Sequence, residues 1–199
     1  VPSEFNRGVF ERSGVRTPVS VVPHVLRRPR PEPVLLDGVP DDAFVFYLIA
    51  TWSTRKCVPE TVTAFLDEFD GDEAVALVVK TTSHDQMAVE RRRRAGLGPD
   101  RSEETWWSLA RLMAGRDAPP VLLIAGAVDD RVIDALHARG DVALAPSRSE
   151  GFGLVPYDAG MYANPAILTR FGAGPEIMPP AYPLLIDCDA DDFSYGIYD

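Results

Sequence analysis

Ala43-Phe44-Val45-Phe46-Tyr47-Leu48-Ile49-Ala50 is an unbroken apolar run, rich in β-branched and aromatic residues. A run of this kind, without polar alternation, reads as a strand buried on both faces. The pattern recurs downstream. Residues 59–69 place Val62, Phe65, Leu66 and Phe69 at helical spacing, and 74–80 form a second apolar strand. Residues 102–113 open on Ser102, Glu103 and Glu104, an acidic start suited to a helix N-terminus. A third strand is expected over 120–125, then a helix over 129–138 with Val132, Ile133 and Leu136 on one side. A strand over 141–145, a helix over 152–161, and strands over 165–169 and 183–186 complete the series. Apolar strands separated by helices require crossover connections, which build a parallel sheet. The expected fold is therefore α/β, a Rossmann-like parallel sheet with helices on both faces. Ligands bind beyond the carboxyl ends of such strands, here just after Ala50, Ala125, Ala145 and Thr169.

Upstream the texture changes. Residues 3–12 read as a short helix and 19–22 as a short strand. Val25-Leu26-Arg27-Arg28-Pro29-Arg30-Pro31-Glu32-Pro33 is a basic, proline-rich connector, the composition of an extended linker at a domain boundary. The chain then divides into a leading segment over 1–33 and one domain over 34–199. With 199 residues, 46% hydrophobic and 25% charged, the composition is that of a globular protein able to bury one core. No apolar run is long enough to span a bilayer, and Val1-Pro2-Ser3-Glu4-Phe5 lacks the features of a secretory signal. Without an initial Met, the chain reads as an excised fragment. Its net charge of −10 opposes general nucleic-acid binding but leaves room for a local basic pocket. Cys57 and Cys188 are too few for a disulfide framework or a zinc cluster, and both are expected reduced in the cytoplasm. Arg91 to Arg94 read as a solvated helix face or loop; contact with a membrane surface or an acceptor is the alternative.

The chemistry concentrates in Pro146-Ser147-Arg148-Ser149-Glu150-Gly151-Phe152-Gly153-Leu154-Val155-Pro156-Tyr157-Asp158-Ala159-Gly160. A strand ends, a glycine-bearing loop follows, and a helix opens. Gly151 and Gly153 let backbone amides approach a ligand, and the helix start offers unpaired N–H groups to anionic oxygens. Glu150 in the loop and Asp158 about a turn into the helix are expected to face one crevice. A carboxylate suits vicinal hydroxyls, as on a ribose or a sugar ring. A structural strand-to-helix turn is the plainer alternative.

Ser147 to Leu154 followed by Asp158 resembles the signature of glycosyltransferase family 4: an acid, seven residues, a second acid, with Gly-Phe-Gly after the first. The likeness continues through Pro165-Ala166-Ile167-Leu168-Thr169-Arg170-Phe171-Gly172-Ala173-Gly174-Pro175-Glu176. It implies the C-terminal, donor-binding half of a two-domain GT-B enzyme, with 1–33 as the end of the acceptor domain plus the interdomain linker. It also implies that Glu150, Gly151, Phe152, Gly153 and Leu154 meet the donor sugar and that Asp158 meets the ribose. Asp158 departs from the family's usual Glu, with about 1.5 Å less reach, and Gly160 replaces a larger residue.

Two further blocks follow from the resemblance. Ile49-Ala50-Thr51-Trp52-Ser53-Thr54-Arg55-Lys56-Cys57 is similar to the segment whose Arg and Lys neutralise the donor diphosphate. Lys56 matches the lysine, Thr51 stands where the arginine falls, and Arg55 is the cation beside it. Gly126, Ala127 and Val128, after the 120–125 strand, match the nucleobase wall. His24 is taken as a linker residue. The implied activity is retaining transfer of a sugar from a nucleoside-diphosphate sugar, with no cofactor and no metal. Glu150, Lys56 and Arg55 would be its catalytic groups. The acceptor domain, which should precede the chain, and the family's final helix are missing from it. The donor is the expected partner, nucleic acid is not, and the fragment alone is expected to be inactive. A non-catalytic nucleotide-sugar-binding module is the competing expectation, motivated by Thr51, Asp158 and Gly160.

Overall fold

The computed structural model describes residues 1–25 and 36–188. Six strands, β1 (Phe44–Ile49), β2 (Val75–Thr81), β3 (Val121–Ala125), β4 (Val142–Ala145), β5 (Ala166–Thr169) and β6 (Leu185–Ile186), form one sheet in the order β3-β2-β1-β4-β5-β6. Every pairing is parallel. Helices α1 (Glu4–Arg12), α2 (Val58–Glu68), α3 (Gln86–Arg94), α4 (Thr105–Met113), α5 (Asp130–Arg139) and α6 (Leu154–Met161) precede or connect the strands. The chain steps outward from β1 to β3, then returns to lay β4 against the other side of β1. The expected Rossmann-like sheet is what forms.

The apolar run of β1 serves both faces. Val45 and Tyr47 join Ala76, Val78, Leu136, Ala143 and Ala159 on the α5 and α6 side. Phe46 and Leu48 pack with Val62, Phe65, Leu77, Val79 and Leu109 on the α2 and α4 side. Alternate side chains of a strand point to opposite faces, so a run apolar at every position fills two cores at once. Beside β1, the ladder to β2 runs the whole strand, from Phe44↔Val75 to Ile49↔Lys80. The ladder to β4 consists of Phe46↔Val142 and Tyr47↔Ala143, stopping two residues short of either carboxyl end. The seam where the strand order reverses is therefore open at its upper end.

Several boundaries differ from expectation. Residues 19–22 are not a strand: Val22 is exposed, and this stretch is tied to the chain start by Val1 N→Ser20 O (2.9 Å) and Val22 N→Val1 O (2.8 Å), with no sheet edge beside it. The helix expected over 102–113 is broken at Glu104, which is extended (φ −69°, ψ 136°), between a single turn at Arg101–Glu103 and α4. The break follows from tertiary polar contacts: buried Glu103 pairs with Arg92 at 3.2 Å, and the Thr105 hydroxyl donates to Thr82 O at 2.9 Å. α6 opens at Leu154 rather than at Phe152, because Gly153 adopts a left-handed backbone (φ 95°) that halts the helix there. β6 is half the length expected. The connector over 25–33, apart from Val25, and the boundary at 33/34 lie outside the described residues. Arg91 to Arg94 close α3; Arg93 and Arg94 pair with Glu90, and Arg92 with Asp100 and Glu103. No helix among the described residues is long and apolar enough to cross a membrane.

Candidate functional site

A cavity of about 270 Å³ lies above the seam. Its floor is the carboxyl end of three strands, with Leu48 and Ile49 from β1, Leu144 and Ala145 from β4, and Leu168 and Thr169 from β5. Its polar rim is made by Thr51, Lys56, Ser147 and Glu150, and the first turn of α6 closes one side. This is the location that strand-order reversal dictates for ligands in open parallel sheets.

The two loops that carry the rim are laced together. Arg148 N donates to Arg55 O (2.9 Å), Arg148 Nη1 to Thr54 O (3.0 Å), and Arg55 Nη1 to Ser149 O (2.8 Å). Arg148 also reaches Glu60 on α2 at 3.1 Å. Thr169 Oγ1 donates to Ser147 O (2.6 Å), fixing the second loop to the end of β5. Across this framework Lys56 Nζ donates to Glu150 Oε2, a direct ion pair with both side chains mostly buried. Arg55 stands 3.6 Å from the same oxygen. One carboxylate thus faces two cations at the mouth of the cavity.

The turn before α2 explains how Lys56 arrives there. Thr54–Lys56 is a single helical turn, and Cys57 follows in a left-handed conformation (φ 52°) that turns the chain into α2, where Pro59 fits the first turn. Cys57 is buried, which pushes its thiol up in pKa; Cys57 and Cys188 are both free.

The expected site residues separate into three groups. Lys56, Glu150, Gly153 and Leu154 line the cavity together with Thr51. Arg55, Gly151 and Phe152 lie beside it without lining it. Arg55 is engaged by Ser149 O, Gly151 O accepts from Ser3 and Asn6, and Phe152 is buried against His24 (4.8 Å) and Tyr157 (4.9 Å). The Phe152 ring thus packs away from the cavity lining. Asp158, Gly126, Ala127 and Val128 are not among the lining residues. The charge of Asp158 acts on Tyr47, beneath α5 and α6. Gly126 takes a left-handed turn (φ 92°), and its carbonyl accepts from Lys80 Nζ at 2.8 Å. Burial pushes the Lys80 ammonium down in pKa. At Gly160 an added Cβ would meet nothing within 4 Å, so its departure from the family pattern leaves the packing untouched.

Sequence reasoning missed Ser147, Thr169, Phe171 and Gly174 as lining residues. Ser147 falls within the 147–154 signature and Thr169, Phe171 and Gly174 within the 165–176 likeness, but neither stretch singles these residues out as facing the cavity. Among the described residues no cluster of three or more His, Cys, Asp or Glu could hold a metal ion.

The sheet order and its seam cavity define a Rossmann-like α/β domain with a cavity at its switch point. The chain belongs to the glycosyl transferases group 1, whose profile matches residues 73–198. It is similar in structure to sucrose-phosphate synthase from Thermosynechococcus elongatus, with 20% identity and a TM-score of 0.61 over 86% of this chain and 40% of that one. A GtfA/B complex matches at 18% identity and TM-score 0.57, over 99% of this chain and 35% of that one. A UDP-forming α,α-trehalose-phosphate synthase from Burkholderia xenovorans matches at 19% and 0.55, over 76% and 34%. At these identities the likeness is one of fold, the α/β arrangement of GT-B glycosyltransferases. The chain spans 40% or less of the length of each of these three proteins. No curated protein matches it.

Proposed function

We propose that this chain is the donor-binding half of a retaining glycosyltransferase, taking a nucleoside-diphosphate sugar at the seam cavity. The observation that carries the reading is that Lys56 and Glu150 line one cavity and touch. Had they opened onto different faces, no shared site would exist.

In this reading Lys56 is the diphosphate's counter-charge, with Arg55 as an auxiliary cation that must leave Ser149 O to reach it. The positive charge stabilises the leaving diphosphate electrostatically. Glu150, released from Lys56 by the incoming phosphates, accepts hydrogen bonds from sugar hydroxyls and faces the positive charge that develops on the ring. The acceptor hydroxyl attacks the anomeric carbon on the face from which the phosphate departs. The carbon–phosphate oxygen bond breaks, the new carbon–oxygen bond forms, and the hydroxyl proton passes to the departing phosphate oxygen. Leu154 and the amides of the 151–153 loop bound the sugar, Asp158 approaches the ribose after local closure, and Gly126, Ala127 and Val128 border the base. No metal enters this scheme. An acceptor domain completes the pocket by closing over it; peripheral contact of the whole protein with a membrane remains part of the reading for Arg91 to Arg94.

A thermal-shift panel of UDP, GDP, ADP and their sugar conjugates tests the proposal. One diphosphate should stabilise the chain, by about 2.7 kcal/mol at a hundredfold excess over its dissociation constant. Lys56→Ala should lose the response to the diphosphate, and Glu150→Ala the increment added by the sugar. Silence of the wild-type chain to every ligand, or an unchanged response in both variants, defeats the assignment. A second reading, a binding module without turnover, is favoured by Thr51, a neutral side chain on the rim where the family carries arginine. Donor hydrolysis or transfer by the full-length protein decides between them.

A further inference from the structure

The 150–153 loop is gripped from outside the cavity by the N-terminal segment. Ser3, buried at 3% exposure, caps α1 by accepting from Asn6 N at 3.1 Å, and its Oγ also donates to Gly151 O at 2.9 Å. Asn6 Nδ2 donates to the same carbonyl at 2.9 Å. Two donors saturate the lone pairs of one carbonyl oxygen. The peptide is planar and trans, so holding the Gly151 carbonyl toward α1 directs the Phe152 N–H away from α1. Gly151 suits this close contact: a Cβ there would lie 3.0 Å from Asn6 Nδ2, which would have to shift by a few tenths of an ångström.

A second grip comes from the segment after β5. Ala173 N donates to Glu150 O at 3.1 Å, and a Cβ on Gly172 (φ 80°) would lie 2.9 Å from that oxygen. The same segment reaches α1. Both Glu176 carboxylate oxygens cap its first turn, accepting from Glu4 N (2.9 Å) and Phe5 N (2.6 Å), where negative charge suits the helix dipole. Phe5 meets Phe171, a cavity-lining residue, edge-on at 5.6 Å. Ser3, Asn6 and Glu176 do not line the cavity. They tie together α1, the loop of Glu150 and the turn of Gly174, so displacing α1 must displace the loop.

We propose that Ser3, Asn6 and Glu176 are positioning residues that set the affinity of the site for the sugar moiety, leaving the diphosphate to Lys56. The proposal rests on the donor-binding reading above. It makes the position of α1 a variable that tunes sugar binding without any contact to the ligand.

The test measures dissociation constants of the 199-residue chain for UDP, GDP and ADP and for their glucose conjugates. Asn6→Asp keeps the shape but cannot donate to Gly151 O. For the nucleotide that binds wild type, N6D should weaken the glucose conjugate about tenfold, an order expected for losing one of the two hydrogen bonds that hold Gly151 O, and change the free diphosphate less than about twofold. Gly151→Ala should show the same split, and its added loss should shrink in an Asn6→Ala background, where the clashing amide is gone. Equal weakening of diphosphate and conjugate would mean that α1 merely supports the fold, and overturns the proposal; so would an N6D variant that binds the conjugate like wild type. If N6D does not fold, Glu176→Gln, which disturbs α1 but keeps both donors on Gly151, is judged by the same ratio. Absence of any binding by the wild-type chain defeats the donor-binding reading and this proposal together, whereas wild-type binding with an unchanged ratio defeats this proposal alone.

Discussion

The two faces of the sheet are built on different principles. On the α2 and α4 side, Phe46, Phe65 and Phe69 form a cluster of rings with centroids 5.1 to 5.9 Å apart, surrounded by aliphatic side chains. On the α5 and α6 side, fully buried Tyr47 places its hydroxyl 2.8 Å from His137 Nδ1 and accepts from Asn164 Nδ2 at 3.2 Å. Asn164 Nδ2 also donates to His137 O at 2.6 Å. Hydrocarbon packing is non-directional and yields stability in proportion to buried area. A buried polar network contributes less net free energy but demands one geometry, since an unmatched partner is penalised. The first face supplies stability, and the second fixes how α5 and the 162–164 turn sit on the sheet.

The contrast can be broken most severely on the apolar side. Phe65→Ala should lower unfolding free energy by about 3 to 5 kcal/mol in a denaturant titration, through lost transfer energy and the cavity left behind. The polar side should instead reveal itself through pH. Burial pushes the Tyr47 phenol up to about 12, against an ordinary value near 10. The unfolded chain therefore releases this proton first, so stability is intact below about pH 10 and declines as pH rises toward 12. The loss ascribable to this group is on the order of 2 to 3 kcal/mol, and a Tyr47→Phe chain should lack that part of the alkaline slope. Gly140→Ala probes the same face by overpacking. Its Cβ would fall 2.2 Å from the Tyr47 ring and 2.9 Å from Leu136 O, so a loss of at least about 1 to 3 kcal/mol is expected. An unchanged midpoint would show that the ring can yield, and that the polar face is less exacting than its hydrogen bonds imply.

What the sequence disclosed follows the same division. Continuous apolar runs such as 43–50 announce buried parallel strands because hydrophobicity is a local property, readable without knowing the neighbours. The meeting of Lys56 and Glu150 was also legible, since both follow strands that the topology places side by side. The Tyr47–His137–Asn164 network was not legible, because each member is unremarkable until strands and helices from distant segments converge. The break at Glu104 was hidden for the same reason, as it depends on Arg92 and on the backbone of 82–83. The place of the Phe152 ring was not legible either, because it is covered by His24 and Tyr157 from segments on either side of it. The grip of α1 on Gly151 joins residues 145 and 148 positions apart, and no periodicity could have announced it.

The contact between Lys56 and Glu150 has a consequence for selectivity. On the donor-binding reading, Lys56 already has a mate in Glu150, so a simple anion must compete with a carboxylate for it. On the same reading, a ligand bringing negative oxygens at one end and hydroxyl donors at the other satisfies both partners as it separates them, and is favoured over one that suits Lys56 alone. Discrimination of that kind would reside in the pairing of the two side chains rather than in the shape of the cavity.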